Sequence, residues 1–324
     1  MRQTACGEIQ TSVLGFGCGS VMGRVGRAQS LRAMNVAWDA GITLFDTARS
    51  YGFGEAEAVL GEFLGGKREQ AVIATKYGIA PQRLSPLKRV VVPMVRAAKK
   101  LPGAGRLKRG GVGPVVHGEF SVAGLRSSLE TSLRALKTDH VDVLFLHEAS
   151  AAVMQEDALM LELEALVRAG KVLRVGLYGS AAVCGEGLAH GPAVLGSMQF
   201  GADVLDPVAM GLADVRERRA LMIGNHPFGS ADRVSRVKAM LEAMAVDETV
   251  PEELRDKLWG LGWDGLLEAL LGMIVDSAGV DALVLSMMEE RHLRKNVRAV
   301  EMCRFGAGEL KLMRGRMLAH SPLV

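Results

Sequence analysis

The chain has 324 residues, a hydrophobic fraction of 49% and a formal net charge of +3 at pH 7. This apolar content can build a large core, and so small a charge argues against nucleic-acid or membrane partners. The four scattered cysteines have no metal or redox spacing, and no signal-peptide pattern or apolar run of ~18 residues is present, so we expect a cytoplasmic protein.

The first elements in the chain alternate short apolar runs with helical patterns. Residues 1–13 predict a hairpin turned at Gly7, and residues 14–19 predict a first barrel strand followed by a glycine-bearing loop. Residues 30–40 space their apolar side chains as a helix does, and Gly41 closes that helix.

The next two predicted strands end in polar side chains. Residues 43–48 form an apolar run that contains Asp46, and a glycine-bearing loop after it contains Tyr51. A second run, residues 71–75, ends in Lys76. In a parallel α/β barrel the carboxyl ends of the strands carry the chemistry. We therefore expect an acid, a phenol and an amine at that end.

A long connection at residues 79–120 interrupts the alternation. It contains one candidate helix, at residues 86–101, and nine basic residues between 83 and 109 without an acidic one. Connections of this length inside a compact domain are usually functional or disordered. A basic lid that favours an anionic substrate and a solvated loop are both open interpretations.

From Ser121, a suitable N-cap, the alternation resumes. Gly224 and Pro227 are expected to stop the seventh barrel strand. Together the eight strands and their helices predict an α/β protein, a (β/α)₈ TIM barrel, as a single domain over residues 1–324 with an inserted loop at 79–120. The predicted strands are 141–146, 174–178, 194–200, 221–223 and 282–285, and the predicted helices are 121–136, 155–169, 181–189, 207–219, 230–245, 251–261, 265–277 and 291–302, the last of the chain.

Four separated segments resemble the signature of the aldo-keto reductase family in residue type, order and spacing. They are residues 41–48, Tyr51-Gly52, residues 55–61 and Thr75-Lys76. The resemblance implies an NADP(H)-dependent oxidoreductase, with NAD(H) as the second candidate cofactor. It would act on a small aldehyde, ketone or sugar carbonyl, or on the alcohol in the reverse reaction. The expected partner is therefore a small molecule, and the chain would be a monomer or a homo-oligomer.

The resemblance implies a catalytic tetrad of Asp46, Tyr51, Lys76 and His147. A tyrosine, with an ordinary pKa near ~10, can exchange a proton near neutral pH if its anion is stabilised. A neighbouring lysine supplies that stabilisation, an aspartate holds the lysine charged, and a histidine orients the carbonyl. Taken alone, each residue also has a structural interpretation, such as a loop cap, a surface aromatic, a solvated charge or a core histidine.

The resemblance also assigns residues to the cofactor. Gln199 corresponds to a glutamine that contacts the nicotinamide amide, and Asn296 to an asparagine that contacts adenine. The family holds the cofactor extended across the barrel and lacks the glycine-rich dinucleotide motif. The full set of candidate cofactor residues is Gly17, Cys18, Asp46, Gln199, His292 and Asn296. The seven histidines form no ligand spacing, so no metal is expected.

Several positions depart from the family pattern. Tyr178-Gly179 stand where the family has Ser-Asn, and Asn225 stands where it has an aromatic residue. Ser286-Met287-Met288-Glu289-Glu290 stand in place of a phosphate-binding loop. Four basic residues nearby could compensate for the acidic pair: Arg291, Arg294, Lys295 and Arg298. Two further hypotheses follow, a family-derived binding or regulatory subunit with weak cofactor binding, and a non-redox lyase.

Overall fold

The computed structural model describes residues 1–82, 118, 120–206, 220–277 and 280–320. The predicted basic lid at residues 83–109, the candidate helix at 86–101 within it and the predicted helix at 207–219 all lie outside these residues. The described strands are β1 (Gln3–Cys6), β2 (Ile9–Ser12), β3 (Leu14–Gly17), β4 (Leu44–Asp46), β5 (Val72–Tyr77), β6 (Val141–His147), β7 (Val172–Gly179), β8 (Leu195–Gly201), β9 (Leu221–Asn225) and β10 (Ala282–Leu285).

Helices alternate with most of the strands. They are α1 (Arg27–Asp39), α2 (Ala56–Phe63), α3 (Val122–Leu136), α4 (Ala151–Met154), α5 (Asp157–Arg168), α6 (Ala181–His190), α7 (Ala231–Val246), α8 (Glu252–Leu258), α9 (Trp263–Gly272), α10 (Glu290–Glu301) and α11 (Ala307–Ala319). None of the helices in the described ranges is long and apolar enough to cross a bilayer.

Strands β3 to β10 form a closed barrel in which β10 pairs with both β9 and β3. Every pair in the barrel is parallel. The (β/α)₈ barrel prediction is therefore confirmed. Because all eight strands run in one direction, their carboxyl ends meet at a single rim.

The predicted N-terminal hairpin is present. β1 and β2 pair antiparallel from Gln3↔Ser12 to Cys6↔Ile9. Gly7 takes φ +61° in the turn, a conformation that glycine adopts without steric cost. Cys6 and Ile9 pack in the same apolar cluster as inward-facing barrel residues such as Phe145. The hairpin thus covers one end of the barrel interior.

Helix α3 shows how the sequence pattern produces an element and its packing. The Ser121 hydroxyl accepts a hydrogen bond of 3.1 Å from the Gly124 amide, which satisfies a free donor of the first turn. The apolar stripe predicted along this helix is buried. Each fully buried leucine contributes about 1.5–3 kcal/mol from apolar surface removed from water. Packing of this face therefore fixes α3 against the barrel.

Two predictions about the secondary structure were wrong, the end of one strand and the position of the last helix. β9 continues through Gly224 to Asn225. A Cβ at Gly224 would lie 2.7 Å from the Ala202 Cβ, so the glycine permits close packing and does not end the strand. The helix at 290–301 is followed by another, α11, whose buried face includes Arg314. A charged residue on the inner face obscured that helix in the sequence.

Candidate active site

Three neighbouring strands and one turn bring the four predicted catalytic side chains to the carboxyl rim. Asp46 is the last residue of β4, Lys76 is next to last in β5, and His147 is last in β6. Tyr51 begins the short 3₁₀ turn that follows β4. The sequence alone predicted these positions, because residues at the ends of adjacent parallel strands must lie at the same rim.

Lys76 and Asp46 form a buried ion pair. The Lys76 ammonium lies 2.5 Å from Asp46 Oδ1 and donates a second bond of 3.0 Å to the Thr47 carbonyl oxygen. The side chains of Lys76 and Asp46 are 0% and 5% exposed. With little water to screen it, each charge depends on the other, and removal of one leaves an uncompensated buried ion.

Tyr51 lies against this pair. The Lys76 Nζ is 5.0 Å from the centroid of the Tyr51 ring. Burial raises the pKa of Tyr51 well above its ordinary value of 10.0, and the negative charge of Asp46 raises it further. The phenol therefore keeps its proton across the neutral range. The sequence led us to expect that Lys76 would bring this pKa toward neutrality. In the structure, burial and the negative charge of Asp46 raise it instead.

A tight turn holds Tyr51 in place. Gly52, Phe53 and Gly54 all have positive φ, at 58°, 61° and 87°. A Cβ on Gly52 would lie 2.4 Å from the Val21 carbonyl oxygen, so a side chain there would push the first loop away. Phe53 takes the left-handed conformation without being glycine, which costs of order 1 kcal/mol. The backbone thus sets the direction of the phenol.

Behind the tetrad lies a buried polar residue, Glu57, that was not among the predicted site residues. The Glu57 carboxylate is 1% exposed and accepts a bond of 2.7 Å from the Thr75 hydroxyl. It also accepts a bond of 3.2 Å from Arg49. Glu57 therefore ties helix α2 to the strand residue next to Lys76 and to the loop before Tyr51. The signal was its acidic character within an otherwise apolar helical face.

His147 is 7% exposed and lies edge-on to Tyr178. The two ring centroids are 4.6 Å apart, and the rings are inclined at 79°. Their contact follows from the register, since His147 pairs with Tyr178 across β6 and β7. Edge-to-face pairs of this kind contribute about 0.5–1.5 kcal/mol beyond area burial. The histidine ring is thus held at the rim by its neighbour.

Two positions that depart from the family pattern lie at the rim. The Tyr178 ring centroid lies 5.3 Å from the Lys76 Nζ. Asn225 Oδ1 lies 2.9 Å from His226 Nδ1. Burial raises the pKa of Tyr178, and the nearby Tyr51 raises it further. Local sequence patterns do not predict the contact between Tyr178 and Lys76, because the two residues lie on different strands, β7 and β5.

The Gln199 side chain is a buried amide whose surroundings bear on nicotinamide binding. It pairs with Tyr178 on one side and Ile223 on the other, and its side chain is 0% exposed. Within the described part of the chain, neither its Oε1 nor its Nε2 has a hydrogen-bond partner. A buried unsatisfied amide costs about 1–3 kcal/mol. A carboxamide, which carries both a donor and an acceptor, could satisfy both atoms, so Gln199 fits the group.

Gly17 and Cys18 lie at the end of β3, beside the tetrad. A Cβ on Gly17 would lie 3.2 Å from the Leu285 carbonyl oxygen, so the glycine allows close approach of β10. Cys18 is fully buried, and burial, followed by the charge of Asp46, raises the pKa of its thiol. The thiol is therefore neutral, and only backbone atoms of this segment could serve a ligand.

The remaining cofactor candidates lie apart from the tetrad, on helix α10. Asn296 is 8% exposed and faces inward, whereas the His292 side chain is 53% exposed and lies 3.9 Å from Glu289. Three of the four nearby basic residues have acidic partners within the described part of the chain. These pairs are Arg291 with Glu289 at 2.9 Å, Arg294 with Glu290 at 2.6 Å and Lys295 with Asp264 at 2.6 Å.

No group of three or more His, Cys, Asp or Glu residues is arranged to hold a metal ion among the residues that the structure describes. The chemistry available at the rim is that of a phenol, a buried ammonium–carboxylate pair and an imidazole. Such a set can move a proton to or from a ligand oxygen and polarise a carbonyl group.

Comparison with known proteins finds sequence similarity over about half of the chain. The model of the "Aldo/keto reductase family" matches residues 13–183. A pyridoxal 4-dehydrogenase from Microbacterium luteolum is 31% identical over 165 residues, which are 50% of this chain and 46% of that protein. An aryl-alcohol dehydrogenase from Pestalotiopsis microspora is matched over 34% of its length. The chain thus spans less than half the length of these curated relatives.

Solved structures share the fold over nearly the whole chain. An aldo-keto reductase from Bacillus halodurans in its holo form has a TM-score of 0.68 and 22% identity, covering 98% of this chain and 95% of that one. An aldo-keto reductase from Klebsiella pneumoniae in complex with NADPH has a TM-score of 0.64 and 18% identity, covering 98% and 96%. At these identities the likeness establishes the barrel alone.

Proposed function

Because the chain belongs to the aldo/keto reductase family, we propose that it is an oxidoreductase that reduces a small aldehyde, ketone or sugar carbonyl, or oxidises the corresponding alcohol. NADP(H) is the proposed cofactor, with NAD(H) as the second candidate. The observation that carries the proposal is the buried Lys76–Asp46 pair against the ring of Tyr51.

The proposed chemistry of the chain's own residues is proton transfer. Tyr51 donates its hydroxyl proton to the carbonyl oxygen during reduction and takes it back in the reverse reaction. The Lys76 ammonium stabilises the resulting tyrosinate, and Asp46 keeps that ammonium charged and in place. His147 hydrogen-bonds the carbonyl oxygen and so orients it. A bound reduced nicotinamide would supply the hydride that adds to the carbonyl carbon.

The proposed cofactor contacts come from several elements. Gln199 would bind the nicotinamide carboxamide, which its two unpartnered amide atoms support. The backbone of Gly17 and Cys18 would adjoin the same end. Asn296, buried on α10, would contact the adenine. His292 is exposed, so fewer of its atoms are held in place for a cofactor contact. Asp46 would act through Lys76.

One observation favours a second candidate function. Arg291 and Arg294, which a phosphate could attract, are paired with Glu289 and Glu290. Two carboxylates beside a phosphate group would repel it. A chain with weak cofactor binding could serve as a binding or regulatory subunit, or use the tetrad as a non-redox lyase.

The proposal is tested by binding and turnover together. NADPH and NADH are titrated separately while the fluorescence of the three tryptophans is followed. Aldehydes, ketones and sugars, including anionic ones, are then screened for cofactor consumption. Binding with turnover that Tyr51→Phe removes supports the oxidoreductase. Absence of binding by both cofactors rejects it and favours the second candidate.

The proposal also covers the domain organisation, the oligomeric state and the location of the protein. We propose a single-domain cytoplasmic protein, a monomer or homo-oligomer, without a nucleic-acid or membrane partner. Gel filtration with light scattering distinguishes the two oligomeric states, and fractionation of the cell tests the location.

A further inference from the structure

The Lys76 ammonium lies between two phenol rings. Its Nζ is 5.0 Å from the Tyr51 centroid and 5.3 Å from the Tyr178 centroid. Both distances are within the ~6 Å over which a cation is attracted to an aromatic face. Since the lysine side chain is 0% exposed, water does not compete for these contacts. The second ring therefore limits where the ammonium can lie.

The Tyr178 ring also contacts His147. The centroids are 4.6 Å apart at 79°, and the two residues are direct register partners on β6 and β7. One ring thus contacts both Lys76 and His147, two of the groups assigned to carbonyl chemistry. A change in the Tyr178 position would be transmitted to both.

We propose that Tyr178 is a positioning residue for the reaction proposed above, which holds Lys76 and His147 in their working orientation. The inference rests on that proposed function. Catalytic groups must be fixed within about 0.5 Å of their productive geometry, and a misplacement of about 1 Å can cost on the order of 10²-fold in rate. Tyr178 acts through its two neighbours and does not exchange the proton.

The kinetic test separates the ring from the hydroxyl. Tyr178→Leu removes the ring and should lower kcat by roughly 10²-fold while KM changes by less than about threefold. Tyr178→Phe keeps the ring and should retain most of kcat.

The chain offers a matched control in Tyr77. Its hydroxyl donates a bond of 2.9 Å to the Ser121 carbonyl oxygen, and its ring lies edge-on to Phe120. Tyr77→Leu should therefore lower the unfolding midpoint and leave kcat of the folded enzyme unchanged. A Tyr178→Leu variant that behaves like Tyr77→Leu would reduce Tyr178 to a packing residue and overturn the proposal.

A second measurement does not depend on turnover. Crystal structures of the wild type and of Tyr178→Leu are compared at Lys76 Nζ and the His147 ring. Displacement of either by about 1 Å supports positioning, and unchanged positions of both overturn it. If the wild type consumes no cofactor with any carbonyl, the proposed function fails, and the displacement still decides whether Tyr178 positions its neighbours.

Discussion

Thr75 donates a hydrogen bond of 2.7 Å to Glu57 and so joins the strand that carries Lys76 to the helix after the Tyr51 turn. Both residues are buried. Because Arg49 bonds the same carboxylate, a single side chain fixes the elements on both sides of the phenol.

Replacing Glu57 with glutamine should therefore weaken both links. We expect a loss of about 1–3 kcal/mol in the free energy of unfolding, measured with denaturant, because hydrogen bonds to a charged group are lost in a buried site. Thr75→Val is the matched variant, since it removes one bond and keeps the side-chain shape. A Glu57→Gln variant as stable as the wild type would contradict this role.

Tyr51→Phe removes the phenolic hydroxyl group, the proposed proton donor, and keeps the ring. The rate should fall on the order of 10²–10⁴-fold, with the cofactor dissociation constant nearly unchanged. Turnover and fluorescence titration are measured on the same preparation, with Tyr77→Phe as control. Full activity in Tyr51→Phe would reject the assignment of the donor.

The pH dependence should differ between the two directions. Burial raises the pKa of Tyr51 above 10.0, so the protonated form needed for reduction persists through the neutral and mildly alkaline range. The rate constant for reduction should stay flat from about pH 6 to 9. Oxidation needs the tyrosinate and should rise about tenfold per pH unit until the Tyr51 pKa is reached. A reduction rate that falls near neutral pH would contradict the raised pKa.

Lys76→Met leaves Asp46 buried without its ammonium partner. Breaking a buried pair by removing one member typically costs about 3–5 kcal/mol, and we expect an unfolding free energy lower by that amount. Adding Asp46→Asn should restore part of the stability, since the uncompensated charge is then gone. Strictly additive losses in this double-mutant cycle would show that the pair is not coupled.

Helix α10 allows a test of cofactor choice. Glu289→Gln with Glu290→Gln frees Arg291 and Arg294 from their carboxylate partners. NADPH should then bind roughly fivefold more tightly, while NADH changes by less than about twofold, since only NADPH carries the additional phosphate. Glu242→Gln, which removes an exposed carboxylate paired with Lys238 on another helix, is the control. Equal effects on both cofactors would show that the phosphate does not lie near these residues.

The sequence predicted the barrel because its strands and helices have distinct apolar periodicities, and those patterns also place Asp46, Lys76 and His147 at strand ends. The contact between Tyr178 and His147 depends on the register of β6 and β7, which local patterns do not specify. Helix α11 was missed because Arg314 interrupts its inner face and Gly315 weakens its helical pattern. The Glu290–Arg294 pair, by contrast, has the i,i+4 spacing typical of a helix and could have been recognised.

The N-terminal hairpin limits how ligands can enter and leave the barrel. Cys6 and Ile9 pack with the side chains that fill the barrel interior, so the hairpin end offers no passage to the rim through the described residues. Substrate, product and cofactor would share one entrance. The ligand that binds deepest would then have to bind first, which gives a compulsory order of addition. The same ligand could dissociate only after the shallower one had left.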